Sequence, residues 1–319
     1  MTGSLINERG LEMTDIITLP PLPSSVNAGK LTDWGSSGLD MRPCPVCDND
    51  DPMHFVRRPD KMDVSCCHVC GMMYLAQVPS SAKLEEFYSD YGSFKGFSSR
   101  GLSSFRCFRD VSTNPYIKIL ESTGGIKGKS LMDVGCAYGY FLQLARFAKA
   151  NVSGVELDIH AQKYLSSLNI PVFNQPPKDL KFDIISAFHL VEHLLNPIEF
   201  IESMSNRLVK DGRLLLALPN GGEVNDFGPT WVGFRVDFEH VNYFSVSTLS
   251  RLLYKCGLIL EQVWTRDQPC VVRGAEPQSL SSLVNHRLNR LFNRILGAQQ
   301  AVEPHISGSY ELVIIARKI

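Results

Sequence analysis

From residue 129 onward, apolar runs of about five residues alternate with stretches of helical period. Strands are predicted at 130–134, 152–156, 172–173, 182–187 and 213–218, and helices at 138–149, 160–168 and in the stretch leading to residue 208. A helix at 247–256, capped by Ser247, and strands at 258–265 and 310–317 complete the pattern. Strand–helix alternation of this kind builds βαβ units, so the sheet should be parallel with helices on both faces. The strands are apolar almost throughout, which fits burial on both sides. The predicted fold is an α/β, doubly wound, seven-stranded sheet, preceded by a small cysteine-rich module.

The rest of the 319-residue chain divides by composition. Residues 1–40 form an N-terminal arm rich in Pro, Ser, Asn and Gly, expected to be extended or flexible. Residues 41–78 hold two cysteine pairs, and residues 79–128 carry short helical patterns. The domain proper spans 129–319 and is interrupted twice. A long aromatic loop at 219–246 has the character of a lid or substrate wall, and an insertion at 267–308 contains a basic helical stretch at 286–296.

Cys44 and Cys47 form one Cys-x-x-Cys pair, and Cys67 and Cys70 form another, with nineteen residues between the pairs. Two such knuckles match a tetrahedral four-thiolate zinc site. Four protein thiolates leave no open coordination position, so the zinc is expected to be structural. The chain shows no export signal, which favours metal over disulfides and a cytoplasmic location. Nothing in it is long and apolar enough to span a bilayer.

The segment Leu131-Met132-Asp133-Val134-Gly135-Cys136-Ala137-Tyr138-Gly139 runs from a strand through a glycine-bearing turn into a helix. Glycines there let backbone approach a ligand at the carboxyl end of the sheet, the usual ligand edge of such folds. The spacing is Gly-x-x-x-Gly, not the Gly-x-Gly-x-x-Gly that cradles a pyrophosphate. The stretch from Asp133 to Gly139 resembles motif I of the class I S-adenosylmethionine (SAM)-dependent methyltransferases, departing at Ala137, where that family commonly has glycine. Glu156, twenty-three residues after Asp133, resembles the family's ribose-binding acid. The 182–194 stretch, ending in Glu192-His193, resembles its fourth-strand motif, 212–220 its fifth strand, and 239–245 a His-containing segment of one broad small-molecule subfamily. Some members of that subfamily carry an N-terminal four-cysteine element.

The resemblance implies a Rossmann-like methyltransferase sheet that binds SAM through Asp133, Gly135, Cys136, Ala137, Gly139, Glu156, Leu157, Phe188 and His189. Methyl transfer to a hydroxyl needs alignment and, commonly, a base, a role suited to histidine. His240, on the predicted acceptor wall, is the first candidate and His189 the second. The expected partner is a small-molecule acceptor, a sugar, nucleotide-sugar or related metabolite by family analogy. The formal net charge of -1 speaks against nucleic acid as the main partner. No pattern sets an oligomeric state. Two alternatives stay open: an RNA methyltransferase, and a non-catalytic SAM-fold protein that binds a partner through its cysteine module.

Overall fold

The computed structural model describes residues 17–19, 34, 38–89, 104–266 and 310–319. In chain order these comprise β1 (Leu39–Met41), β2 (Pro52–Arg57), β3 (Asp63–Cys67), β4 (Met73–Leu75), β5 (Gln77–Pro79) and α1 (Ser81–Ser89). Next come α2 (Ser104–Thr113), α3 (Pro115–Ser122), β6 (Ser130–Val134), α4 (Tyr140–Phe147), β7 (Asn151–Val155), α5 (Ile159–Ser167) and β8 (Val172–Phe173). The chain continues through β9 (Phe182–Phe188), α6 (Pro197–Arg207), β10 (Leu208–Pro219), β11 (Asn242–Tyr243), α7 (Val246–Lys255), β12 (Leu258–Arg266) and β13 (Glu311–Lys318). The insertion at 267–308, with its basic stretch at 286–296, lies outside the described residues, as does most of the 1–40 arm.

The predicted seven strands form one sheet in the order β12-β13-β10-β9-β6-β7-β8. It is mixed: β13 runs antiparallel to both β10 and β12, while the other pairings are parallel. From β6 the chain winds outward through β7 and β8, then returns to the other side for β9 and β10. The carboxyl ends of β6 and β9 therefore flank the switch point, where such sheets open a crevice. Successive residues of β10 serve opposite cores: Leu214, Leu216 and Leu218 join one, Leu215 and Ala217 the other. This two-sided burial is why the strand lacks polar residues over that stretch.

Local chemistry moves several predicted boundaries. The helix expected from residue 138 starts at Tyr140, because Gly139 adopts a left-handed conformation (φ 67°) as its N-cap. The cap of α7 is Ser245, not Ser247: Ser245 and Thr248 form a reciprocal capping box. In the arm, Thr18 bridges Arg57, and Leu19 and Trp34 are buried, so these residues are held against the cysteine module.

That module shares its framework with the rest of the chain. Strands β2, β3 and β4 form an antiparallel sheet whose fourth strand, β11, comes from the far end of the 219–246 loop. Cys44, Val46, Cys67, Met72 and Tyr74 lie in the same core as β6, β9, β10 and α7. Trp231, Phe234, Phe238, Tyr243 and Phe244 are almost completely buried. These five aromatic residues therefore serve the loop's own packing, not an open pocket wall. Among the described residues, no helix is long and apolar enough to cross a membrane.

Candidate functional site

The loop after β6 has three left-handed residues, Gly135 (φ 72°), Ala137 (φ 46°) and Gly139 (φ 67°). A Cβ at Gly139 would lie 2.3 Å from Leu165 Cδ2, so packing against α5 as well as backbone conformation requires glycine there. Ala137 keeps a left-handed conformation despite its methyl group, a strain that something must balance. The counterpart is Glu156, just past β7: its Oε2 accepts the Ala137 N–H at 2.7 Å. Its Oε1 accepts from the backbone of Leu157 and Asp158 at 2.7 and 2.9 Å. Both oxygens retain acceptor capacity for a ligand diol. Beside this carboxylate, Leu157 is 76% and Ile159 52% exposed, an apolar surface at the ligand edge.

Other predicted cofactor residues face inward. Asp133 is buried and accepts from Ser186 Oγ at 2.7 Å. Burial pushes its carboxyl up to about 7, and the nearby Glu156 charge adds to this. The Cys136 side chain packs in the core beneath the loop, where a Cβ on Gly154 would meet its sulfur at 2.6 Å. Asp133 and Cys136 thus shape the loop from below. Phe188, at the end of β9, stacks on Tyr116 with ring centroids 4.4 Å apart and meets Phe141 edge-on at 4.9 Å.

His189 follows directly, with φ 50° and its N–H bonded to Ala217 O at 2.7 Å. Its Nε2 lies 3.1 Å from Glu311 Oε1 and its Nδ1 3.4 Å from Glu192 Oε1. Burial alone would lower its pKa, but the two carboxylates override this and push it up to about 10. Burial raises Glu192 in turn, yet the surrounding histidines, His189 foremost, hold it below the usual carboxylate range. His189 is thus an imidazolium clasped between two carboxylates.

Glu311 sits on β13 with no exposed side-chain surface. It also accepts from Tyr116 Oη at 2.7 Å and Arg266 Nη1 at 2.8 Å. Sequence reading passed over Glu311, Tyr116 and Arg266. The one available signal was a glutamate opening an otherwise apolar strand.

His240 reaches the same edge from the long loop. Its side chain is 5% exposed, and its Nε2 stands 3.9 Å from Glu192 Oε1. It packs edge-on against His193, centroids 4.7 Å apart. Among the described residues, neither oxygen of Glu192 accepts a well-formed hydrogen bond, His189 Nδ1 and His240 Nε2 standing 3.4 and 3.9 Å from Oε1, and Nδ1 of His240 has no partner. The structure therefore brings His189, Glu192, His193 and His240 together, and the fourth-strand motif and the loop histidine belong to one cluster. Glu192, His193 and His240 offer donor atoms within 4.8 Å of one another.

The four cysteines converge as the spacing required. Cys44 and Cys70 sulfurs are 3.5 Å apart, as are those of Cys47 and Cys67, and all four lie within 4.8 Å of one another. Tetrahedral thiolates at a zinc–sulfur distance of about 2.3 Å stand roughly 3.8 Å apart, so the cluster fits such an ion closely. The sulfurs are far too distant for disulfides.

Residues 113–263 match the family Methyltransf_23, described as a methyltransferase domain. The ubiquinone biosynthesis O-methyltransferase of Actinobacillus pleuropneumoniae serotype 7 is 30% identical over 120 residues, 32% of this chain and 50% of that protein. The tRNA U34 carboxymethyltransferase of Campylobacter curvus is 25% identical over 151 residues, 43% of this chain and 51% of that protein. The chain thus spans about half the length of the curated relatives it matches. A SAM-dependent methyltransferase from Archaeoglobus fulgidus aligns over 73% of this chain and all of its own, with 19% identity and a TM-score of 0.44. The glycine-bearing loop and the acid after the second strand of the domain both lie within the matched segment, so residues 113–263 form a methyltransferase domain.

Proposed function

We propose that the protein transfers a methyl group from SAM to a hydroxyl of a small metabolite, with His240 as general base. The observation that carries this reading is the approach of His240 Nε2 to within 3.9 Å of Glu192 Oε1, in the turn that follows β9, with His240 Nδ1 without a hydrogen-bond partner among the described residues. SAM would be held by the Gly135–Gly139 loop, with Glu156 on the ribose hydroxyls and Leu157 and Ile159 against the adenine; it supplies an electrophilic methyl group. His240 accepts the acceptor's proton, and the Glu192 carboxylate stabilises the imidazolium that forms. His189 cannot share the base role while Glu192 and Glu311 keep it protonated. Its charge instead favours an acceptor oxygen that becomes negative.

Cys44, Cys47, Cys67 and Cys70 would hold a structural zinc that takes no part in the chemistry. A sugar or nucleotide-sugar is the acceptor class to screen first. An oxygen acceptor agrees with the name of the ubiquinone-pathway relative, and the net charge of -1 gives no support to a polyanionic one. Calorimetric titration with S-adenosylhomocysteine (SAH) tests the reading. Wild-type protein should bind and Glu156→Ala should lose about tenfold or more in affinity, the loss of paired hydrogen bonds to a charged group. A folded wild-type protein that does not bind SAH would overturn it.

A further inference from the structure

Arg58 is 1% exposed, although it belongs to a run of two basic residues, Arg57-Arg58. A buried guanidinium is tolerated only when its charge is balanced and its donors are used. Here Nε bonds Asp60 Oδ1 at 3.0 Å, and Nη2 bonds Asp60 Oδ2 and, at 2.7 Å, Phe238 O. Nη1 bonds His240 O at 2.7 Å and Tyr243 Oη at 2.6 Å. The planar fork thus grips the backbone on both sides of Glu239 from the β2–β3 hairpin of the cysteine module.

Arg42, two residues before Cys44, holds the same segment from another direction. Its Nη2 donates to Val241 O at 2.7 Å and Asn242 Oδ1 at 2.9 Å, its Nη1 to Leu195 O at 3.0 Å, and its Nε to Leu75 O at 2.9 Å. The Leu75 N–H also reaches Val241 O at 3.0 Å. On the opposite side, Val241 N–H donates to Glu192 O at 2.9 Å, and Asn242 Nδ2 to Leu194 O at 2.7 Å. Residues 238–243 are therefore held between the cysteine module and the Glu192 turn.

We propose that the four-cysteine module is the positioning frame of the proposed base, with Arg58 and Arg42 as positioning residues that fix the His240 segment against Glu192. The inference rests on the reading of His240 above. It assigns the module a role beyond holding itself together: the cofactor loop is built by β6, β7 and α5, whereas the base is delivered by the module. Disturbing the module should then uncouple acid–base chemistry from cofactor binding.

Full-length, metal-loaded Arg58→Lys provides the test, since lysine keeps the charge but cannot reach acceptors arranged for a fork. Hydrogen exchange at the His240 and Val241 amides should quicken about tenfold, as expected for loss of a buried hydrogen-bonded anchor. The His240 side-chain NMR signal should shift toward that of a solvent-exposed histidine. SAH affinity and exchange within β6 and β9 should match wild type. Arg42→Gln should reproduce the pattern, which guards against a peculiarity of one variant. Unchanged exchange at 238–243, or faster exchange spread evenly through the large sheet, would overturn the inference. SAH binding by the unsubstituted protein judges the methyltransferase reading separately.

Discussion

Glu156 Oε2 accepts the backbone N–H of Ala137 at 2.7 Å, joining the proposed ribose anchor to the one non-glycine left-handed residue of the cofactor loop. The bond explains how alanine is tolerated where glycine would be easier. Ala137→Gly should therefore stabilise the fold by about 1 kcal/mol, the relief of a left-handed methyl group less the added chain entropy. A rise in the urea midpoint at unchanged slope would show it. A lower midpoint would mean that the methyl group packs favourably.

Gly139 offers no such latitude. Alanine there would place Cβ 2.3 Å from Leu165 Cδ2 in a left-handed conformation. Gly139→Ala should cost roughly 2–3 kcal/mol from overpacking and backbone strain together. It should also weaken SAH binding, because the helix that follows starts at this residue. Denaturant unfolding and calorimetry on the same sample check both effects.

The carboxylate pair around His189 makes a pH-dependent contribution to stability. Its folded pKa, about 10, lies above the ordinary value of about 6.5, so the contribution is complete below that value and is lost as pH rises through about 10. The side chain is 35% exposed, so water screens part of the attraction. Glu311→Gln removes one of the two charges and should lower the His189 titration point, seen by NMR of the ring proton. A titration point that stays put would assign the effect to Glu192 alone.

Asp133 shifts in the same direction, through burial instead of a charge partner. Its raised pKa, about 7, makes the folded state bind its proton more tightly than the unfolded chain does. Stability should fall with a slope of up to about 1.4 kcal/mol per pH unit between roughly pH 4 and 7. Asp133→Asn, neutral throughout, should flatten that slope, read from urea midpoints across the range.

Loss of one thiol should empty the proposed zinc site. Cys47→Ala should reduce zinc, measured by elemental analysis, from about one equivalent per chain to none, because three thiolates hold the ion far less tightly. The thermal midpoint should fall with it, since Cys44 and Cys67 share a core with the large sheet. Retained zinc would point to a substitute ligand.

Periodicity and residue spacing along the chain were enough to reveal the strand–helix alternation, the two cysteine knuckles and the glycine-bearing loop, and the family resemblance added the acid at Glu156. These are local patterns: strand burial, turn chemistry and ligand spacing are written within a few residues of each other. Left-handed Ala137 and the Ser245 cap are also local, but they depend on which backbone donor finds which side chain. The His189–Glu311 contact joins residues 122 positions apart, and the Arg58–His240 contact residues 182 apart. No spacing rule encodes such pairs. They exist because β13 inserts between β10 and β12, and because β11 leaves the long loop to complete the cysteine sheet. The sequence alone determined the strand–helix alternation and the glycine-bearing turn at the carboxyl edge of the sheet. Only the tertiary structure decided which charges meet there, because burial is what forces distant polar groups to find one another.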